Sequence, residues 1–393
     1  MRDKLPSSTT PFPPPNQVGE SPRGKDLEHA AAGFLARQQR LRALLEARHI
    51  PLILVTNLVN IRYLTGFVGS AGTALFGPRQ GLLWVDPRYT LQAREQAHGV
   101  EVVEEKIGGL KGAAKWLAKH SVPEIAFEAS HLTCTNFELL RTQAGRTLAL
   151  KPAGDVIEDL RVVKDRGEIE AIRSAGKVTA EVFSDVLSMI KPGVEERDLA
   201  SEVDYRMRKK GAEGAAFETI VASGSRGAYP HAHPSSKPLQ ESDLVILDFG
   251  AILRGYAADM TRTLFLGEPN RRVWSLYSSV LMAQRGAVKS VQDGIKAGDV
   301  DSVARSILAK RGLAGYFTHS TGHGVGLEIH ERPRVARGEN TCLRAGSVIT
   351  VEPGVYIEGL GGIRLEDTVL VGPEGPEILT PASLESWVLE VRG

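Results

Sequence analysis

DLVILDFGAILRGYAADMTRTLFL (243–266) returns, reworked, as GSVITVEPGVYIEGLGGIRLEDTVLV (346–371). Each copy holds an apolar strand ending in an acid, a glycine two residues on, a turn, and a second strand bearing another acid. The acids are Asp248 and Asp259 in the first copy, Glu352 and Glu366 in the second. Such self-similarity reads as an internal pseudo-repeat. Strands paired as hairpins rather than as βαβ units place this part of the chain in the α+β class.

Side chains alternate across a strand, so parity assigns faces. Asp248 shares a face with Ile246, Asp259 with Thr261, Glu352 with Thr350, and Glu366 with Arg364. The opposite faces carry Val245, Leu247, Ile349, Val351, Ile363 and Leu365, which should pack on a core. Acids among apolar strands cost free energy unless paired or bound to metal. Four together repel one another and raise each other's pKa. Two divalent cations would neutralise them. Carboxylates with one or two imidazoles suit Mn²⁺, Co²⁺, Zn²⁺ or Fe²⁺. Acids at strand ends facing solvent are the alternative, which fits any one of them better than four in matched contexts.

HSTGHGVGLEIHE (319–331) gathers three of the ten histidines. Next to a carboxylate cluster, His323 reads as the nitrogen ligand. GHGVG lacks both the lysine of a phosphate-binding P-loop and the GxGxxG spacing. His330 lies an odd number of residues from His323, which on a strand is the opposite face; a bend at the glycines would return it. PHAHP (230–234) adds His231 and His233. His233 and His319 are either solvated turn residues or members of the site.

The chain has 393 residues, 42% hydrophobic, with 48 basic and 47 acidic residues. That balance leaves no whole-molecule footprint for nucleic acid or an anionic membrane. The two cysteines, Cys134 and Cys342, make no disulfide framework and read as small buried hydrophobes. They fit a reducing cytosol. No apolar run approaches the roughly 20 residues needed to span a bilayer. Residues 1–30 are polar and proline-rich without a signal-like apolar core, and read as a flexible tail or an added extension.

An α/β domain is expected over 31–157. Phe34, Leu41, Leu44 and Leu45 fall at helical spacing. IPLILV (50–55), TALF (73–76), GLLWVD (81–86), VEVVEE (100–105) and EIAFE (124–128) predict strands. DPRYTLQAREQA (86–97) predicts a helix starting after Asp86, with Pro87 in its first turn, and GLKGAAKWLAKH (109–120) another. From Asp155 the texture becomes long charged helices, one stopping before KPGV (191–194) and one at Gly211, followed by the hairpin strands.

These motifs together closely resemble the metallopeptidases that include aminopeptidase P, prolidase, creatinase and methionine aminopeptidase. NLVNIRYLTGF (57–67) and WVDPRYTLQARE (84–95) resemble the creatinase-type N-terminal domain. The resemblance implies a pita-bread catalytic domain over 158–393. It implies five metal ligands, Asp248, Asp259, His323, Glu352 and Glu366, with Asp259 and Glu366 bridging two ions. Mn²⁺ is the expected ion, with Co²⁺, Zn²⁺ or Fe²⁺ as alternatives. His231 and His330 would donate to the substrate and its oxyanion, Glu352 would shuttle the proton, and Arg364 and Thr261 would hold ligand carboxylates. The expected activity is an Xaa-Pro aminopeptidase acting on peptides with proline second. The alternatives are an Xaa-Pro dipeptidase, a creatinase-like hydrolase, or a non-catalytic binding module. A cytoplasmic homodimer is expected, with neither nucleic acid nor membrane as partner.

Overall fold

The structure, a computed structural model, describes residues 24–145 and 147–390. Most of the expected tail lies outside the described residues. Its last part does not: α1 (Gly24–Ala47) begins inside it. The first half continues with β1 (Ile53–Val55), α2 (Leu58–Thr65), β2 (Thr73–Phe76), β3 (Gly81–Val85), α3 (Thr90–Gln96), β4 (Glu101–Glu104), α4 (Gly109–Lys119), β5 (Glu124–Phe127), α5 (Cys134–Gln143), β6 (Ala149–Pro152) and α6 (Val156–Arg161).

These strands make one mixed sheet in the order β4-β3-β2-β1-β5-β6. Alternation along them feeds two cores. Ile53, Val55, Phe76 and Val85 pack with Leu41 and Leu45 of α1 and Ile61 of α2. Leu54, Leu75, Trp84 and Phe127 pack on the other face with Leu117 of α4 and Leu140 of α5. Both faces are covered, so the strands read as continuous apolar runs rather than alternating ones.

Two expectations are corrected. The helix expected after Asp86 starts at Thr90, because Asp86 closes a turn first, its carboxylate accepting from the Arg88 backbone at 2.9 Å; Pro87 therefore sits in that turn. The cysteines are not buried: Cys134 opens α5 on the surface, and Cys342 lies in a loop.

The second half runs α7 (Arg166–Val186), α8 (Glu196–Lys209), β7 (Gly214–Ala215), β8 (Ile220–Ser223), β9 (Leu244–Phe249), β10 (Ala251–Leu253), β11 (Tyr256–Ala257), β12 (Met260–Leu266), α9 (Arg271–Ser290), α10 (Ala297–Lys310), β13 (Gly322–Gly324), β14 (Glu331–Val335), β15 (Val348–Val351), β16 (Gly354–Ile357), β17 (Gly361–Arg364), β18 (Asp367–Gly372), β19 (Gly375–Ile378) and β20 (Val388–Leu389). Asp165 and Glu168 form a reciprocal capping box that starts α7, satisfying two backbone donors at once. Among the described residues no helix is long and apolar enough to cross a membrane.

The repeat seen in sequence is one of architecture. A helix pair precedes each copy, α7 and α8 the first, α9 and α10 the second. In each copy the outer strands pair antiparallel, β9 with β12 and β15 with β18. The inner strands form a hairpin, β10–β11 and β16–β17. This is the pita-bread α+β fold. Val245, Leu247, Ile349, Val351, Ile363 and Leu365 all join the main core, as parity requires.

Asp248 lies within β9, but Asp259, Glu352 and Glu366 sit at the breaks where the inner hairpins leave the outer strands. A break frees backbone groups that must find other partners. Here they tie the copies together. The Asp259 N–H donates to Thr368 Oγ1 at 3.0 Å, and the Glu366 N–H to the Thr261 carbonyl at 3.1 Å.

Glu196, at the start of α8, is buried beneath the loop 223–235. Its carboxylate accepts from the backbone and hydroxyl of Ser223 and of Ser235 and from Arg226 Nε, at 2.6–3.0 Å. Burial alone would raise its pKa, but the serine hydrogen bonds outweigh that and hold it below the usual value. Its stabilising contribution is therefore full above the ordinary glutamate range and lost as pH falls through the lowered folded value. Glu196→Gln should lose about 1–3 kcal/mol at pH 7. The gap from wild type should narrow at about pH 3, which lies below the ordinary glutamate value, so that the unfolded wild-type chain takes up the proton; denaturant midpoints at the two pH values check this.

Candidate metal centre

The four acids meet where the two copies face each other. One ligand atom each from Asp259, His323 and Glu366 lie within 4.8 Å of one another. His323 Nδ1 lies 3.1 Å from the Gly324 carbonyl, so the proton sits there. That leaves the Nε2 lone pair toward Asp259 Oδ2 at 3.5 Å and Glu352 Oε1 at 3.6 Å. Burial, reinforced by His330, lowers the His323 pKa to about 4, so the ring is neutral near pH 7. This tautomer is the one a metal ligand needs.

Three carboxyls, those of Asp259, Glu352 and Glu366, are shifted the other way. Burial, with neighbouring acids adding to it, raises Asp259 and Glu366 well above the usual range. Burial pushes Glu352 up to about 7. Asp248 Oδ1 and Asp259 Oδ1 are buried without a hydrogen-bond partner. A buried carboxylate oxygen left unpaired is costly. Divalent cations answer both problems, supplying partners for the bare oxygens and charge against the repulsion. The donor set of carboxylates and one imidazole fits such ions.

Arg364 and Thr261 brace the cluster. Arg364 donates from Nη2 to Asp248 Oδ2 at 2.6 Å and from Nε to Thr261 Oγ1 at 3.1 Å. Thr261 Oγ1 donates to Glu366 Oε2 at 2.7 Å. Thr350 stands 3.4 Å from Glu352 and accepts the His323 N–H. The same-face polar neighbours read from parity all touch the cluster.

A cavity of about 820 Å³ opens beside it. His231, His319, His323 and His330 line it, and the rings of His323 and His330 lie 4.3 Å apart. The bend at the glycines is real: a bulge between His323 and Gly324 and the loop to β14 return His330 to the site. His231 is held on the wall because Arg364 Nη1 grips the Pro230 carbonyl at 3.2 Å. His319 is not a solvated turn residue. Its half-buried ring, lowered to about 4 by burial and then by Arg364, donates Nδ1–H to the Ser320 carbonyl at 2.8 Å and accepts the Tyr356 hydroxyl at Nε2, 2.9 Å. His233 also lines the cavity, but its ring is exposed and lies 2.9 Å from Glu218 Oε2.

Sequence reading missed Tyr356, whose hydroxyl links His319 to Arg364 Nη1 at 2.8 Å. The hairpin register contained the signal, since Gly354 opposes Arg364 and shares a face with Tyr356. It also missed Arg334, which opposes His323 across β13 and β14 and therefore points to the same side. Only knowledge of the bulge reveals that.

The fold and this acid-lined cavity define a metallopeptidase of pita-bread architecture. Residues 170–373 match metallopeptidase family M24, and residues 37–163 match the creatinase/prolidase N-terminal domain. The chain belongs to metallopeptidase family M24. It is 36% identical over 341 residues to the Xaa-Pro dipeptidase of Pyrococcus horikoshii, covering 87% of this chain and 95% of that one. The solved Xaa-Pro dipeptidase of Bacillus anthracis is 36% identical with a TM-score of 0.87, covering 91% of this chain and 100% of that one. The X-Pro aminopeptidase of Thermotoga maritima is 36% identical with a TM-score of 0.82, covering 90% of this chain and 99% of that one.

Charge repulsion in the cluster has a measurable sign. Asp259→Asn should raise the melting temperature of metal-free protein, because it removes one of the crowded acids. The same change should abolish the further rise that an added divalent cation such as Mn²⁺ should give the wild type. Thermal unfolding of both proteins with and without Mn²⁺ tests the two effects together.

Proposed function

We propose that the chain is an Xaa-Pro dipeptidase, hydrolysing dipeptides with proline second. This replaces the aminopeptidase expected from the motifs with its alternative, because the similar proteins named above are mostly dipeptidases. One structural observation favours the same choice. Arg334 lines the cavity on the side of His323 and, among the described residues, makes no hydrogen bond or ion pair, though its charge also acts on Glu339. A free guanidinium there suits the carboxylate that a dipeptide, but not a longer peptide, presents just beyond proline.

The reading assigns Asp248, Asp259, His323, Glu352 and Glu366 to two divalent ions, Mn²⁺ before Co²⁺, Zn²⁺ or Fe²⁺. The bare Asp248 and Asp259 oxygens and the free Nε2 of His323 support it. When bound, such a pair supplies an activated water and polarises the scissile carbonyl. The chain's own groups do the rest. Glu352, at the cavity edge, takes a proton from the attacking water and delivers it to the departing proline nitrogen. His231 and His330 donate to the carbonyl oxygen as it gains charge. Arg364 and Thr261 keep the Asp248 and Glu366 carboxylates aimed. Proline lacks an N–H and has a fixed φ, and a site that grips the ring and the free amine needs no amide hydrogen.

The division into an N-terminal domain (31–157) and a catalytic domain (158–393) is part of this reading, supported by the separate apolar cores. The homodimer rests on the family resemblance, and the cytoplasmic setting on the cysteine usage and charge balance.

With Mn²⁺-loaded protein, the Xaa-Pro dipeptide should be cleaved far faster than the same sequence extended by two residues. Arg334→Met should raise KM for the dipeptide about 10- to 100-fold, the loss of one charge-assisted contact, and change cleavage of the dipeptide amide little. Preferential cleavage of the longer peptide, with release of its first residue, would overturn the assignment in favour of an aminopeptidase.

A further inference from the structure

His330 makes no hydrogen bond of its own among the described residues. Its ring rests against His323, so its placement depends on how its backbone is held. The residues around it are gripped by the segment that joins the two halves of the chain. Arg161, the last residue of α6, is 3% exposed. Its Nη2 donates to Glu331 Oε2 at 2.6 Å and to Glu328 Oε2 at 2.7 Å. Lys164 Nζ donates to the other Glu331 oxygen at 2.7 Å. Glu331 follows His330 directly, and Glu328 precedes it by two residues, so the histidine is clamped from both sides.

The clamp is built inward as well. Arg161 Nη1 donates to Asn60 Oδ1 at 2.9 Å, and Asn60 Nδ2 in turn donates to Glu128 at 2.7 Å and Glu158 at 2.6 Å. Gly326 makes room beneath it, since a Cβ there would collide with the Glu331 carboxylate. This explains a glycine of GHGVG that metal binding does not. A more exposed grip, Arg332 on Asp155 and Asp159 at 2.6 and 2.9 Å, ties the same loop to α6.

We propose that Arg161 and Lys164 are positioning residues: by holding Glu331 they fix the His330 ring at the cavity wall beside His323. Arg161 and Glu331 line the cavity, but none of the three bonds to the acid cluster, so the segment joining the two domains acts on turnover without entering the metal centre. The inference rests on the reading of His330 as a donor to the reacting carbonyl.

The test is a double-mutant cycle on the Mn²⁺-loaded full chain, using whichever Xaa-Pro peptide the wild type cleaves best. Metal content and melting temperature are measured alongside kcat and KM. Arg161→Met and His330→Ala should each lower kcat, by about 10- to 100-fold for a misplaced group, with metal content unchanged. The double variant should fall no further than His330→Ala alone, because both remove one function. Arg161→Lys, which keeps the charge, should recover part of the rate. If Arg161→Met does not fold, Glu331→Gln, which keeps the shape, replaces it in the cycle. Multiplying losses in the double variant would overturn the proposal, as would wild-type turnover in Arg161→Met or in His330→Ala. A failure of the dipeptidase reading is distinct, since it shows in the peptide-length preference of the wild type.

Discussion

Like charges gathered inside apolar strands are the constraint around which this molecule is arranged. Asp248, Asp259, Glu352 and Glu366 come from two copies of one strand–hairpin–strand unit, and burial forces them to share a small volume. Burial and mutual repulsion raise the pKa of several of them, and two of their oxygens have no protein partner. A cluster of this kind persists only if something outside the chain completes it, or if protons do. Arg364 supplies part of the compensation, pairing with Asp248 from within the second copy.

The pseudo-two-fold arrangement follows from the same constraint. Each unit alone presents two acids on an apolar scaffold. Facing units are tied by hydrogen bonds at the strand breaks, the Asp259 N–H to the Thr368 hydroxyl and the Glu366 N–H to the Thr261 carbonyl. The acids are thus fixed by the register of the whole repeat rather than by their own neighbours. The opposite faces of the strands carry the apolar side chains that hold the units together, so one alternating pattern serves core and site at once. A histidine-bearing loop then closes one side of the cluster, and the α6 segment from the first half of the chain anchors that loop through Glu331.

Much of this was legible without coordinates. Parity along four short strands assigned the acids, Thr261, Thr350 and Arg364 to one face, and each touches the cluster. The repeat gave the fold class of the second half, and the strand–helix alternation gave that of the first. The errors share a cause, which is that local pattern does not report the partners and exposure the fold gives a residue. Cys134 and Cys342 look like small core residues and lie on the surface. Asp86 looks like a helix start and closes a turn. His319 reads equally as a loop residue or a site residue, and only the fold shows its half-buried ring packed against Tyr356.

The sequence by itself determined which acids and polar neighbours share a strand face, because period-two alternation and the repeated acid spacing are one-dimensional signals. Tertiary structure decided how they converge. The bulge after His323, which returns His330 to the cavity and sets Arg334 opposite His323, depends on backbone pairing that no spacing encodes. The Arg161–Glu331 contact joins residues 170 apart in the chain. Such contacts exist because a buried charge must find an opposite charge somewhere in the folded molecule, and only the packing of one half on the other determines where.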